Sequence, residues 1–231
     1  MSGPSLAGVR LADAGPRYGV GVYREVTEWA WSSPGWLRAA GPVVTEGGLL
    51  LCAALLVLGW WRARGWEDRA AARALLAPSA VAVAYLLSGA AKSWLHEERP
   101  CRAVPDVRSL AACPAPGDWS FPSNHAVIAA ASVGALLLSW RLAGLLLLPV
   151  AVLVALSRVY LGVHYLHDVA AGFLLGAAAA PLLVLALTVP GTRSVAALRR
   201  RGRLAPLLGA APGSPRPPRS PRSPHRTETR R

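Results

Sequence analysis

Three short polar segments interrupt an otherwise apolar sequence, and each contains residue types that bind or attack phosphate. They cover residues 92–100, 121–125 and 157–168. Together they supply three cations, Lys92, Arg99 and Arg158, with few neighbouring anions. Arginine presents a planar fork that matches phosphate oxygens, and lysine adds a compact charge. The pattern therefore predicts a site for a phosphate ester or anhydride.

Two histidines in these segments are predicted to be catalytic. His164 and Asp168 lie four residues apart, which places them on one face if they share a helix. The Asp168 carboxylate can then hold the proton of one ring nitrogen and leave the other nitrogen free as a nucleophile. His125 can protonate the leaving-group oxygen and later act as the base when water hydrolyses the phosphohistidine. His167 is expected to face elsewhere and has no predicted role.

The start of the apolar segment at residues 123–140 also suits an anion. Ser123 precedes an apolar segment, so it is predicted to cap a helix while the next backbone N–H groups, from Asn124 onward, point at phosphate. A metal site is the main alternative, because His125, His164 and Asp168 are residues of types that commonly bind metal ions. Three nearby cations would repel a metal ion and attract an anion. We therefore predict an anion site with no metal and no other cofactor.

The remaining sequence indicates that a bilayer positions these segments. Of the 231 residues, 53% are hydrophobic and 16% are charged, whereas soluble domains carry about a quarter charged residues. A membrane crossing needs about 20 apolar residues of helix. Five apolar segments approach this length, at residues 42–61, 75–95, 123–140, 142–157 and 169–189. We predict an all-α integral membrane protein, a bundle of about five to six transmembrane helices over residues 18–190.

The two ends of the chain differ from this apolar body. Residues 1–17 are predicted to be flexible, and residues 18–31 are predicted to form an amphipathic helix that lies at the interface or packs under the bundle. Residues 191–231 contain 11 Arg and a single acid. This tail is predicted to be disordered, and either to contact anionic lipid or only to fix topology. Because most of the net charge of +13 lies there, no nucleic-acid partner is expected.

Positive charge in the short loops predicts the orientation. Arg62, Arg64, Arg69 and Arg73 cluster between the first two apolar segments, and five crossings place that cluster and the tail on one side, the cytoplasmic side. The polar segments then face outward at the cell membrane. Cys101 and Cys113 lie in the outward loop 96–122, where they could form a disulfide, but their spacing leaves this open.

In chain order the polar segments read K-x6-R-P, P-S-x-H and S-R-x5-H-x3-D, and they resemble the motifs of the type 2 phosphatidic acid phosphatase superfamily. The resemblance implies metal-independent hydrolysis, with His164 as nucleophile, Asp168 as the residue that orients it, and His125 as acid. It implies these phosphate ligands: Lys92, Arg99, Ser123, Asn124 and Arg158. The third position of P-S-x-H is often glycine in this family, and Asn124 keeps its backbone N–H there.

Within that superfamily the chain looks most like bacterial undecaprenyl-diphosphate phosphatases. This likeness implies hydrolysis of undecaprenyl diphosphate to undecaprenyl phosphate through a phosphohistidine. Phosphatidic acid, diacylglycerol pyrophosphate, phosphatidylglycerophosphate and a prenyl-phosphoryl sugar are alternative substrates. A non-catalytic lipid-phosphate binding protein or transporter is the alternative of another class. Binding alone needs no nucleophile and no acid, so His125, His164 and Asp168 favour the enzyme.

Overall fold

The protein is all-helical over residues 17–201 and 208–209, which are the residues that the computed structural model describes. No strand occurs among these residues, as predicted. The helices are α1 (Arg17–Ser32), α2 (Gly35–Ala63), α3 (Asp68–Leu95), α4 (Pro100–Ala103), α5 (Asn124–Ser139), α6 (Arg141–Tyr160) and α7 (Leu166–Arg200).

Helix α5 forms the centre of the bundle. Helices α2, α3, α6 and α7 are long and apolar enough to cross a membrane, and all four pack against α5. Helix α5 has only 16 residues, about 24 Å of helix, and every residue from 129 to 136 is buried. Its surface is therefore covered by protein rather than by lipid, which suits a short helix at the middle of a membrane bundle.

Two glycines bring α7 very close to α5. A β-carbon at Gly176 would lie 2.2 Å from the backbone oxygen of Val127, and one at Gly172 would lie 2.6 Å from that of Ser123. Glycines four residues apart are a common means of close helix approach in membranes, where packing rather than the hydrophobic effect drives association. This contact places the first turn of α7 beside the first turn of α5.

Helix α1 supports the loop between α6 and α7. Its Tyr23 and Ala30 are buried, and the Tyr23 hydroxyl donates to the Gly162 carbonyl at 2.9 Å. Burial raises the pKa of Tyr23 to about 12, with a smaller effect of Tyr165. Gly162 has φ +76°, and a β-carbon there would lie 2.9 Å from Ser109, so this turn requires glycine.

The helices extend beyond the predicted apolar segments. Helix α2 begins at Gly35 rather than 42, and α3 begins at Asp68 rather than 75. The predicted boundary between the membrane domain and the tail at 190 is wrong, because α7 continues through Pro190 to Arg200. Tertiary contacts explain the extension, since Val195 is buried in one cluster with Ala71 and Ala72 of α3. Such packing outweighs the one backbone hydrogen bond that a proline removes.

Arg199 fixes this extended end of the bundle. Its buried guanidinium donates to Asp68 Oδ1 at 2.6 Å and to the backbone oxygens of Arg64, Trp66 and Leu208. Residues 1–16, 202–207 and 210–231 lie outside the described residues. The predicted flexible start, most of the predicted basic tail and its contact with anionic lipid fall in those ranges.

We expect Arg199→Ala to destabilise the protein by about 2 kcal/mol, because it leaves several buried carbonyls and Asp68 without their donor. Thermal unfolding of the purified protein in detergent measures the effect. Arg200→Ala is the matched control, since Arg200 is exposed and should change stability by less than about 0.5 kcal/mol. Equal stability of both variants would contradict a structural role for Arg199.

Candidate active site

The eight residues predicted to form the site come from five segments that meet at one end of the bundle. Lys92 lies in the last turn of α3, Arg158 lies in the last turn of α6, and α5 and α7 begin at the same end of the bundle. Hydrogen bonds join these segments, such as those from Arg99 to His164 and from the Ser123 backbone N–H to the Asp168 carbonyl. The charge of Arg99 acts on both His125 and His164. The end of the bundle thus collects the catalytic and anion-binding residue types that the sequence indicates.

His164 is buried and has a partner on each ring nitrogen. Its Nδ1 lies 3.2 Å from Asp168 Oδ2, and its Nε2 lies 3.0 Å from the Nη1 atom of Arg99. Because a guanidinium only donates, Nε2 must be the acceptor and Nδ1 must carry the proton that faces Asp168. The imidazole is therefore fixed in one tautomer with its lone pair on Nε2, the form that a nucleophile requires.

His164 is also kept neutral. Burial lowers the pKa of His164 to about 4, because the desolvation of an imidazolium outweighs the opposing hydrogen bond and charge of Asp168. The charges of Arg99 and Lys92 act in the same direction as burial. A nucleophilic lone pair is consequently available at neutral pH, where an ordinary histidine is partly protonated.

The helical basis predicted for the His164–Asp168 contact is wrong, although the contact exists. His164 precedes α7, whose N-cap is Tyr165. Asp168 reaches back from the first turn and accepts the Tyr165 backbone N–H at 2.8 Å. Its Oδ2 also accepts a hydrogen bond from Ser120, whose Oγ lies 3.3 Å from His164 Nδ1. Asp168 therefore combines a helix-capping role with the orientation of His164.

Arg99 and Lys92 spend part of their donor capacity on the loop before α5. Arg99 donates to the Asp118 carbonyl and carboxylate and to the Val163 carbonyl. Burial raises the pKa of Asp118, but the hydrogen bond and charge of Arg99 outweigh it and hold that pKa below its ordinary value. Lys92 Nζ donates to the carbonyls of Trp119 and Ser120. Both cations thus anchor the loop that carries Ser120.

Ser123 and Arg158 differ from these cations because they retain buried, unused donors. Within the described part of the chain, Ser123 Oγ and Arg158 Nε have no hydrogen-bond partner. Ser123 is the N-cap residue of α5, but the predicted side-chain cap is absent; its backbone N–H instead donates to Asp168 O at 3.0 Å. Buried polar atoms without partners are rare and mark places where a ligand or water binds.

Asn124 uses its side chain for packing between helices. Its Oδ1 accepts from the Ser88 hydroxyl of α3 at 2.7 Å. Its backbone N–H lies in the first turn of α5. First-turn N–H groups lack intrahelical partners and favour anions. Asn124 therefore suits a phosphate ligand through its backbone rather than through its amide.

Sequence reasoning missed a second carboxylate–histidine contact, and it assigned His167 wrongly. His167 does not face elsewhere: its Nε2 lies 2.7 Å from Glu97 Oε1 and 3.3 Å from Asp168 Oδ1. Among the described residues, this trio is the set of candidate metal ligands whose atoms converge within 4.8 Å. The predicted alternative set of His125, His164 and Asp168 does not converge in this way.

The loop before α5 is braced covalently. Cys101 and Cys113 form a disulfide with a Cα–Cα distance of 5.9 Å, which resolves the question that their spacing left open. The neighbouring Arg102 donates to the carbonyls of Pro114 and Ala115. The disulfide therefore shortens the connection along the chain from Arg99 to Asp118 and Ser120. No periodic pattern in the sequence could have identified Asp118 or Ser120.

Fold and site together define a multi-pass membrane phosphohydrolase with a histidine at its centre. Residues 73–189 match the family model described as PAP2 superfamily. The chain is 33% identical to a decaprenylphosphoryl-5-phosphoribose phosphatase from Mycobacterium tuberculosis over 72% of this chain and 89% of that protein. The chain belongs to the PAP2 superfamily and is a phosphoric ester hydrolase.

Two further proteins are similar to the chain. An undecaprenyl-diphosphatase from Sulfolobus acidocaldarius is 40% identical over 41% of this chain, and the match spans 45% of the length of that relative. The crystal structure of Aquifex aeolicus LpxE superimposes with a TM-score of 0.58 at 20% identity, over 73% of this chain and 95% of that one. The structural likeness shows the shared fold.

We expect Ser120→Ala to lower kcat about tenfold, because loss of one hydrogen bond to a buried carboxylate costs about 1.5 kcal/mol. The assay is phosphate release at saturating substrate. Ser93→Ala is the control, since the Ser93 hydroxyl is exposed and bonds only to the Ala90 carbonyl. A change confined to KM would show that Ser120 does not act through His164 and Asp168.

Proposed function

We propose that this protein hydrolyses the terminal phosphate of a polyprenyl diphosphate, probed most directly with undecaprenyl diphosphate, through a phosphohistidine on His164. Two features at the same end of the bundle carry the proposal. His164 is neutral, with Nε2 as the acceptor nitrogen, and Ser123 and Arg158 have buried donors that are not used. A phosphate group satisfies those donors and presents its phosphorus to Nε2. In this proposal the backbone N–H of Asn124 binds phosphate as well.

In the first step, Arg99 transfers its Nη1 hydrogen bond from Nε2 to a phosphate oxygen and so frees the lone pair. A bond forms between Nε2 and phosphorus while the bond to the leaving oxygen breaks. The Nδ1 proton stays on His164, and Asp168 stabilises the resulting charge. His125 gives its proton to the leaving oxygen, and Lys92, Arg99 and Arg158 stabilise the equatorial oxygens.

In the second step, water attacks the phosphorus on the side that the leaving group has vacated. His125, now neutral, takes a proton from this water. The nitrogen–phosphorus bond breaks, inorganic phosphate leaves, and His164 returns to its neutral tautomer. Lys92 and Arg99 also keep the Ser120 loop in place, so in this scheme they serve binding and structure together.

The substrate class follows from the relatives whose names specify prenyl lipids. One acts on undecaprenyl diphosphate and the other on decaprenylphosphoryl-5-phosphoribose, as their names state. The second candidate is therefore the phosphate ester of a prenyl-phosphoryl sugar, favoured by a match that spans 89% of that relative. Phosphatidic acid, diacylglycerol pyrophosphate and phosphatidylglycerophosphate complete the panel that should be tested.

We further propose that the site faces the extracytoplasmic side. The Arg-rich connection between α2 and α3 lies at the other end of the bundle, and positive charge in short loops favours the cytoplasm. The disulfide beside the site supports the same orientation, since such bonds persist in oxidising compartments. The end of α7, and with it the start of the tail, would then be cytoplasmic.

Purified protein in detergent should release phosphate from a prenyl diphosphate in the presence of EDTA, because no step requires a metal. His164→Ala should lower turnover by at least about 10⁴-fold, as expected for loss of a nucleophile. A wild type that is inert on the whole panel, or inactive only with EDTA, would contradict the proposal. Acid-labile, base-stable labelling of the protein by a radiolabelled terminal phosphate, absent in His164→Ala, identifies the intermediate.

Sidedness can be measured with the native cysteines. After mild reduction of intact cells, a membrane-impermeant maleimide should label Cys101 and Cys113, and Cys101→Ser/Cys113→Ser should remove the label. Cys52 is an internal control, because it is buried in α2 and should stay unlabelled. Labelling that appears only after the cells are lysed would place the site on the cytoplasmic side.

A further inference from the structure

Helix α2 carries one charged residue that neither the motifs nor the family resemblance includes. Between Arg38 and Arg62 its only charged side chain is Glu46. Ionisable residues within apolar membrane helices are costly and are functional candidates by default. The surroundings of the Glu46 carboxylate therefore indicate its role.

The carboxylate faces His125. Glu46 Oε1 lies 3.6 Å from His125 Nε2, which is ion-pair distance, and the Glu46 side chain is 70% exposed while that of His125 is 25% exposed. The charge of Glu46 acts on Arg158 as well. Glu46 thus stands at the open side of the site, beside the proposed general acid and one proposed phosphate ligand.

The backbone of α2 is fixed at this level, so the contact is not an accident of a mobile helix. The adjacent Thr45 is buried and its hydroxyl pairs with the Ser157 hydroxyl of α6. One turn further, a β-carbon at Gly48 would lie 2.1 Å from the Val154 side chain of α6. Helix α2 is therefore pressed against α6 on one side while Glu46 projects toward His125.

A carboxylate at this position has a cost. It reduces the attraction of the site for phosphate, since it opposes the cations that bind the anion. Burial, the largest effect, and the charges of Arg158 and Arg99 together outweigh Glu46 and favour the neutral form of His125 without bound phosphate. When a phosphate occupies the site, its own charge neutralises the effect of Arg158 and Arg99. Glu46 then acts together with the phosphate charge to stabilise the imidazolium against the effect of burial.

We propose that Glu46 is a positioning residue for His125, which holds Nε2–H and directs the Nδ1 proton to the leaving oxygen once phosphate is bound. The inference rests on the proposed function. In this proposal the two histidines differ in charge only when phosphate is bound: His164 stays neutral between Arg99 and Asp168, and His125 becomes cationic beside Glu46 and the phosphate. Environments that separate two titratable groups in this way assign base and acid roles.

The proposed role of Glu46 affects which leaving groups the enzyme can expel. When the bond from phosphorus to an alkoxide oxygen breaks, that oxygen is strongly basic and must receive the proton from His125. A phosphate or p-nitrophenolate leaving group is weakly basic, so its departure depends much less on the proton from His125. Glu46 therefore extends hydrolysis from diphosphates to phosphate esters of alcohols, such as phosphatidic acid or a sugar phosphate.

The first experiment compares wild type, Glu46→Gln and Glu46→Asp on phosphatidic acid, a prenyl diphosphate and p-nitrophenyl phosphate. We expect Glu46→Gln to lower kcat on phosphatidic acid about 30-fold, within the range for partial loss of general acid catalysis, and to change the other two by less than about threefold. Glu46→Asp should recover part of the loss. Glu28→Gln is the matched control, since Glu28 is exposed on α1.

The double variant separates a positioning role from a general charge effect. If Glu46 acts through His125, Glu46→Gln should add no further loss on phosphatidic acid to that of His125→Ala. Additive losses, equal losses on all three substrates, or a change in KM with constant kcat would overturn the proposal. The last of these outcomes would instead make Glu46 a contact for the substrate head group.

A measurement without turnover keeps the two proposals distinguishable. In ¹⁵N-histidine NMR, assigned with His125→Gln, saturating inorganic phosphate should convert His125 to imidazolium in wild type but not in Glu46→Gln. A neutral His125 in phosphate-bound wild type, or equal charge in both proteins, would overturn the role of Glu46. A wild type that is inert on every substrate would instead overturn the proposed function.

Discussion

The hydrogen-bonded line Asp168–His164–Arg99 is the interaction on which the rest of the structure depends. It keeps a fully buried imidazole neutral, in one tautomer, with its acceptor nitrogen against a guanidinium. Each group in the line would be costly to bury alone, because an unpaired buried charge destabilises a protein by several kcal/mol. The surrounding backbone carbonyls, the Asp118 carboxylate and the Ser120 hydroxyl supply the remaining partners.

The need to bury Asp168, His164 and Arg99 together explains how this end of the bundle is built. The line joins α7 to the loop after α3, so both must be fixed relative to α5. Gly172 and Gly176 achieve this on one side by direct backbone contact. On the other side the Cys101–Cys113 disulfide and the Lys92 bonds to loop carbonyls hold the polypeptide that precedes α5. The apolar helices provide a rigid end, and the loops provide the polar partners.

The nine tryptophans fit the same division between the two ends of the molecule. Trp29, Trp31, Trp36, Trp94 and Trp119 lie at the site end, and Trp60, Trp61, Trp66 and Trp140 lie at the other. Two belts of tryptophan are typical of the two membrane–water interfaces. The site therefore lies near one interface, where a lipid can leave its chain in hydrocarbon and present its phosphate to the protein.

The sequence by itself determined the membrane class, the apolar helices and, through its motifs, the superfamily. Hydrophobic length and motif spacing are local properties, and both can be read along the chain. It did not determine the helix ends, because the extension of α7 past Pro190 depends on its contact with α3. The four-residue spacing also predicted the wrong geometry for His164. This residue precedes helix α7, whereas Asp168 lies in the first turn of that helix.

Only the tertiary structure decided which polar groups remain available and which are already used. Ser123 and Arg158 keep unused buried donors, whereas Lys92 donates to the loop carbonyls and the Asn124 amide oxygen accepts from the Ser88 hydroxyl. The partners Ser120, Glu46 and Glu97 lie in no common motif with the histidines that they contact. Such contacts depend on how helices and loops pack in space. The linear order of the residues does not indicate which side chains lie close together in the folded protein.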